Sequence, residues 1–329
     1  MNKKLHFVIP ILIGGVFSVS AQTTAVKARM AEVYKNTDQA KLESLLTRVS
    51  EKNDVEKVKS RTAELGIPMY TTNVRGGMMK AIAVTKEGDV IYRTTFNSGS
   101  RITSKVNDIA PGGSLGLNLD GTNMKVGVWD ENRALGSHQE FTVSSTNNTS
   151  RMTYGDNAIT GSSTDHATHV AGTMVARGAN ANARGMAFKA EIVSYNWSND
   201  ESEVQTEAQN GMLITNHSYG VPMFNLNGNF QMEEWRPGCY TSDAAAWDYV
   251  AYVSPYTLSV VSAGNEGNTS PPSPLGPGLD KLVGNKVSKN NLVVANAMGI
   301  TRSSEGILLA ANINSSSSIG PSDDLRIKP

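Results

Sequence analysis

Cysteine is almost absent. Of 329 residues only Cys239 carries a thiol, so no intrachain disulfide framework can form and no cysteine-based zinc site can be assembled. Neither sign of charge is in excess, because 30 Lys and Arg balance 30 Asp and Glu. A neutral chain lacks the clustered basic surface that holds nucleic acid or an anionic membrane, and neither is expected as a partner. Beyond the N-terminal region no apolar run approaches the about 18 residues that a spanning helix needs. What is present is a globular composition: 39% hydrophobic residues and 30 glycines exclude disorder over the whole length. The length suggests about two domains, at least one of them able to bury a full core.

The N-terminus reads as an export signal. Asn2-Lys3-Lys4 is basic, Leu5 to Val19 is mostly apolar, and Val19-Ser20-Ala21 supplies small residues for cleavage. Residues 1–21 are therefore expected to be a signal peptide and the protein to be secreted. Charge is dense from Lys27 to Glu64, with 16 charged side chains. Leu42, Leu45, Leu46 and Val49 fall on one helical stripe, and Asn53 with Glu56 resembles the start of a second helix. Gly66 and Pro68 end it. Met79–Val84 and Asp89–Thr94 then read as a hairpin. Residues 22–106 thus form a small α+β unit, a propeptide or a retained N-terminal region, without convergent catalytic side chains.

After Pro111 the texture changes. Short, continuous apolar runs at Met124–Asp130, Glu191–Trp197, Met212–Tyr219, Leu258–Ala263 and Leu292–Ala297 read as strands buried on both faces. Helix candidates at His166–Arg177, Glu203–Gly211 and Ser242–Val253 lie between them. This alternation predicts an α/β fold of three layers with a mainly parallel sheet, whose functional residues should gather at the carboxyl ends of strands. No internal repeat is visible, and Ser315–Ser318 is a scrap of low complexity.

Three islands carry chemistry. In Val126-Gly-Val-Trp-Asp130 an acid ends a buried strand; alone it would suit a helix cap or a metal ligand. Asp165-His166-Ala-Thr-His169-Val-Ala-Gly-Thr173 opens a helix with two histidines, which alone could be surface residues or zinc ligands. Val260-Val-Ser-Ala263-Gly264-Asn265-Glu-Gly267 is a strand running into a glycine-flanked amide, which alone could be an ordinary turn. In this order the islands resemble the subtilase family of serine endopeptidases over residues 107–329. The histidine motif departs from the family's H-G-T-H-V-A-G-T only by Ala167 in place of glycine. A-G-N-E-G matches in full. Asn216-His-Ser-Tyr-Gly220 stands where the family has a substrate-binding strand, and Gly320-Pro-Ser-Asp-Asp-Leu-Arg-Ile-Lys-Pro329 resembles the segment ahead of its nucleophile.

The resemblance implies a subtilisin-like fold and an endopeptidase acting on proteins or peptides as a monomer, with no cofactor required for the chemistry. His166 would be the base, since an imidazole titrating near neutrality can take a hydroxyl proton and return it to the leaving amine. Asp130 would fix its tautomer, and Asn265 would donate to the developing oxyanion. Ser218, Tyr219 and Gly220, with Ala263 and Gly264, would wall the primary specificity pocket. Glu140 matches an acidic position that holds structural calcium in many members; Asp200 and Glu201 have no better claim. Since secreted proteases are commonly exported with an inhibitory segment, residues 22–106 are expected to be a propeptide.

The family's Gly-Thr-Ser nucleophile motif occurs nowhere in the chain. The expectation is a subtilase domain that is incomplete at its C-terminus, its serine lying beyond Pro329 and the fragment inactive. The alternative is a non-catalytic, subtilase-like binding module. Two other hydrolase readings compete: an esterase elbow at Gly112-Gly-Ser114-Leu-Gly116, which would need a strand before it and a helix after it, and a zinc site at His166, His169 and His217, which lacks the glutamate of H-E-x-x-H.

Overall fold

The structure, a computed structural model, describes Ala28 and residues 55–72, 78–84, 90–95, 104–160, 163–180, 183–225, 227–273, 275–302 and 308–329. Residues 1–21, expected as a signal peptide, and the expected leucine stripe at 42–49 and Asn53 cap lie outside the described residues.

The N-terminal unit consists of helix α1 (Val55–Glu64) and strands β1 (Tyr70–Thr72), β2 (Met78–Val84) and β3 (Val90–Thr95). The three strands are antiparallel in sequence order. Val58 of α1 and Ala81 of β2 are buried, with Ile67, Met69, Val84 and Val90 packed around them. That core is small, as its charge density implies.

A one-turn helix, α2 (Val106–Ile109), leads into a six-stranded parallel sheet. Its strands are β4 (Lys125–Asp130), β5 (Met152–Tyr154), β6 (Glu191–Asn196), β7 (Ile214–His217), β9 (Leu258–Ser262) and β10 (Leu292–Val294). They lie in the order β5-β6-β4-β7-β9-β10, so β4 is central. Helix α3 (Asp165–Val175) covers one face, and α4 (Asp200–Gln209) and α5 (Ser242–Val253) cover the other. The three-layer α/β expectation holds. Side chains of β4 alternate between two cores: Val126 and Val128 meet Ala167, Val170, Ala171 and Val175 of α3, while Trp129 packs with Val204, Trp247 and Val250. Its indole stacks on Tyr195 at 4.5 Å and 4°.

Boundaries moved for local reasons. The run beginning at Met212 becomes β7 only at Ile214, and a break at Ser218 separates it from β8 (Tyr219–Gly220). Helix α4 begins earlier than its apolar pattern suggests. Asp200, Glu201 and Glu203 fill its first turn, where carboxylates meet the positive end of the helix dipole. Strands β11 (Ala297–Arg302) and β12 (Leu308–Ile313) form a separate antiparallel hairpin, in addition to the strands expected from the sequence.

Two features of the sheet matter for function. Strand β8 pairs antiparallel with β3, Thr94 opposite Gly220 and Thr95 opposite Tyr219. And the face that α3 covers over β4 and β6 continues over β7, β9 and β10, where Ile214, Leu258, Leu292 and Val294 are 39–49% exposed. A parallel sheet normally has both faces covered.

Candidate active site

Because the sheet is parallel, the carboxyl ends of β4, β7 and β9 share one edge. Asp130 is the last residue of β4 and is 1% exposed. His166 is the second residue of α3 and reaches Asp130 across the start of that helix. Its Nδ1 lies 2.8 Å from Asp130 Oδ1 and 2.9 Å from Oδ2. A carboxylate can only accept, so Nδ1 carries the proton and Nε2 presents its lone pair. Nε2 is buried and has no hydrogen-bond partner among the described residues. Burial lowers the imidazole's proton affinity, but the charge and hydrogen bond of Asp130, aided by the charge of Glu131, outweigh it and raise the net value.

The loop after β4 is tied down on several sides. Asn132 Oδ1 accepts the N–H groups of Arg133 and Ile159. Ala134 N–H donates to Ser194 Oγ at 2.9 Å. Leu135 N–H donates to Thr168 Oγ1 at 2.8 Å, and that hydroxyl donates to Thr164 O. Thr168 thus joins the aspartate loop to the helix of the base. His169, one turn further on, is exposed.

Asn265 follows β9 in the half-buried bend Gly264–Gly267. Gly264 holds φ +112°, a conformation closed to residues with a β-carbon. The bend is clasped by the serine run: Ser318 N–H donates to Gly264 O, Gly267 N–H donates to Ser316 O, and Ser318 Oγ accepts from Glu266 N–H. Ser317 and Ser318 are buried, so a stretch that reads as low complexity is a hydrogen-bonded clasp.

Ser218, Tyr219, Gly220, Ala263 and Gly264 are all buried. The Tyr219 ring, expected as a pocket wall, turns into the core. Its hydroxyl donates to Asp200 Oδ2 at 2.7 Å and pairs with His217 Nδ1 at 2.8 Å, and its ring meets Trp197 edge-on. Only its main chain faces β3, while its carbonyl accepts from buried Lys286 at 2.9 Å. Asp200 is therefore the partner of a core tyrosine.

Glu140 is used differently from a calcium ligand. One oxygen accepts the N–H groups of Gly178 and Ala179 at 2.7 and 2.9 Å, and the other accepts from Asn180 at 3.0 Å. Burial works against its charge, but the three amides outweigh burial and hold its carboxyl below the usual range. A bound cation would compete with three donors. Among the described residues no group of three or more His, Cys, Asp or Glu is arranged to hold a metal ion.

The rival hydrolase readings lose their geometry. Ser114 is exposed and follows the short helix α2, with no strand before it and no helix after it. His217 is fully buried, bonded to Tyr219 and to Thr215 Oγ1 at 2.9 Å, and stacked on Trp129. His166 faces Asp130 and His169 faces solvent, so the three histidines do not converge. No helix among the described residues is long and apolar enough to cross a membrane.

Glu131, next to Asp130, was missed in the sequence. Its only signal there is a second acid directly after the strand-end aspartate. It is 1% exposed, and burial, then the Asp130 charge, push its carboxyl up to about 7.

The family model described as the subtilase family matches residues 121–329, well over half of the chain. Among solved structures, the CspB protease of Clostridium perfringens is similar at 18% identity over 52% of this chain and 41% of its own, with a TM-score of 0.36. MycP1 with its N-terminal propeptide removed is similar at 19% identity over 50% of this chain and 47% of its own, with a TM-score of 0.31. The chain thus spans less than half the length of these structures. No curated protein matches it.

Proposed function

The chain belongs to the subtilase family, and on that premise we propose that it is part of a secreted serine endopeptidase whose nucleophile is supplied by residues after Pro329. The observation that carries this reading is His166, with Nδ1 saturated by Asp130 and Nε2 buried without a hydrogen-bond partner among the described residues. That is the state of a general base awaiting a hydroxyl. His166 would take the serine proton, Asp130 would hold the tautomer and stabilise the imidazolium, and the Asn265 amide would stabilise the oxyanion. Protein or peptide substrates would lie along the main chain of Ser218–Gly220 and Ala263–Gly264. The chemistry needs no cofactor, and the enzyme acts as a monomer.

Residues 1–21 would direct export and residues 22–106 would be the propeptide. The antiparallel pairing of β3 with Tyr219–Gly220 supports this, because it lays the N-terminal unit along the edge proposed for substrate. N-terminal sequencing of the secreted full-length product tests it: a mature terminus near Asn107 is expected, and one that remains at Gln22 would overturn it. Turnover is tested by casein hydrolysis with the full-length product. The expected result is hydrolysis blocked by a sulfonyl fluoride and lost in His166→Ala. A full-length gene without a serine in that position would instead make the protein a non-catalytic binding module.

A further inference from the structure

Glu131 is as deeply buried as Asp130 and follows it where β4 gives way to the loop. Its main-chain N–H is committed to Asp130 Oδ1 at 2.8 Å. Its own Oε2 is buried with no hydrogen-bond partner among the described residues. A buried carboxylate left in this state is costly, so such a group keeps its proton or is held by a nearby cation. The charged groups that act on it are Asp130 on its own strand, and His166 and Asp165 from the first turn of α3. Only the imidazole among them can carry positive charge.

We propose that Glu131 is a positioning residue of this site, a second buried carboxyl that acts with Asp130 to set how firmly His166 holds its proton. The inference rests on reading His166 as the base. Burial and the Asp130 charge bring Glu131 to about 7, with Asp165 adding to the rise and His166 opposing it. In return, Glu131 joins Asp130 in raising His166 against the effect of burial. The two groups therefore titrate as a coupled pair, each charge moving the other's proton. With Glu131 neutral, the imidazolium has one counter-charge. Once Glu131 ionises it has two, and the free base accumulates only at higher pH than Asp130 alone would permit.

The test is an NMR titration of the histidine-labelled full-length enzyme. In the wild type His166 should show two steps, one of them near pH 7 and matched by the Glu131 carboxyl carbon. Glu131→Gln should leave a single step displaced to lower pH, and Glu131→Asp should restore the second. A His166 titration unchanged in Glu131→Gln overturns the proposal. Should that variant fail to fold, the Glu131 carboxyl is followed in His166→Ala, where loss of the facing cation should raise its midpoint; no movement there also overturns it. Turnover of His166→Ala in the full-length enzyme reports separately on the base. Full activity there, with the coupled titration intact, would refute the catalytic reading and leave the coupling standing.

Discussion

The imidazole of His166 points one nitrogen between both oxygens of Asp130, at 2.8 and 2.9 Å, and buries the other without a partner among the described residues. Orientation and tautomer are thus fixed by a single carboxylate. Asp130→Asn keeps the shape but can present an N–H where an acceptor is required, which favours the wrong tautomer. In the full-length enzyme it should lower kcat by about 10⁴-fold with KM little changed. Steady-state kinetics on a peptide substrate check this, and a loss below tenfold would contradict it.

Asn265 sits in a bend whose neighbours Gly264, Glu266 and Gly267 are held by the Ser316–Ser318 clasp. Asn265→Ala should cost about 10²–10³ in kcat, the loss known for such a donor in subtilisin. His169→Ala, at an exposed position, should leave kcat unchanged and alter stability by no more than about 0.5 kcal/mol. An inactive His169→Ala beside an active His166→Ala would reverse the assignment of the pair.

Much of this site was legible because local signals carried it. Asp130, His166 and Asn265 stand at the ends of runs whose apolar continuity marks strands, or at the mouth of a helix. The strands of the parallel sheet were visible for the same reason, except β5. That strand is three residues at a sheet edge, with only Met152 buried, too short for a pattern to register. Other features depend on distant partners. The inward turn of Tyr219 needs Asp200 and His217, the clasp function of Ser315–Ser318 needs the Asn265 bend, and the saturation of Glu140 needs three amides about forty residues on. No window of sequence holds those pairs together.

Glu140 anchors the 178–180 loop as an ionised acceptor. Its lowered carboxyl pKa means that its stabilisation is complete above the usual carboxylate range and is lost as pH falls through the folded value. Glu140→Ala should therefore destabilise the protein at pH 7 by about 1–3 kcal/mol, a difference that shrinks in acid. Thermal melts at several pH values check this. Chelation should not reproduce the loss, and a chelator that did so would restore the calcium reading.

Asp280 and Asp323 form an opposite case. Oδ1 of each lies within 3 Å of where a β-carbon on Gly238 would stand, and Asp280 is fully buried. Burial, then the Asp323 charge, push Asp280 up to about 6. Because its folded value is raised, the contact is strongest below the unfolded pKa and weakens as pH rises through about 6. Asp280→Asn should then raise the Tm at pH 8 and have little effect near pH 4. A lower Tm at pH 8 would contradict the account.

The apolar face at Ile214, Leu258, Leu292 and Val294 predicts the behaviour of residues 107–329 expressed alone. Losing even a few large buried contacts costs several kcal/mol, a large part of a domain's stability of about 5–15 kcal/mol. This fragment should bind a hydrophobic dye and melt without cooperativity. A sharp, cooperative transition would contradict that expectation.

The central claim is that Asp130 and His166 serve a serine lying after Pro329. It is tested most directly by treating the full-length secreted product with a fluorophosphonate probe and locating the labelled residue by mass spectrometry. The account predicts a single labelled serine C-terminal to Pro329, with labelling lost in His166→Ala. A labelled serine within residues 1–329, or labelling that survives His166→Ala, would contradict it.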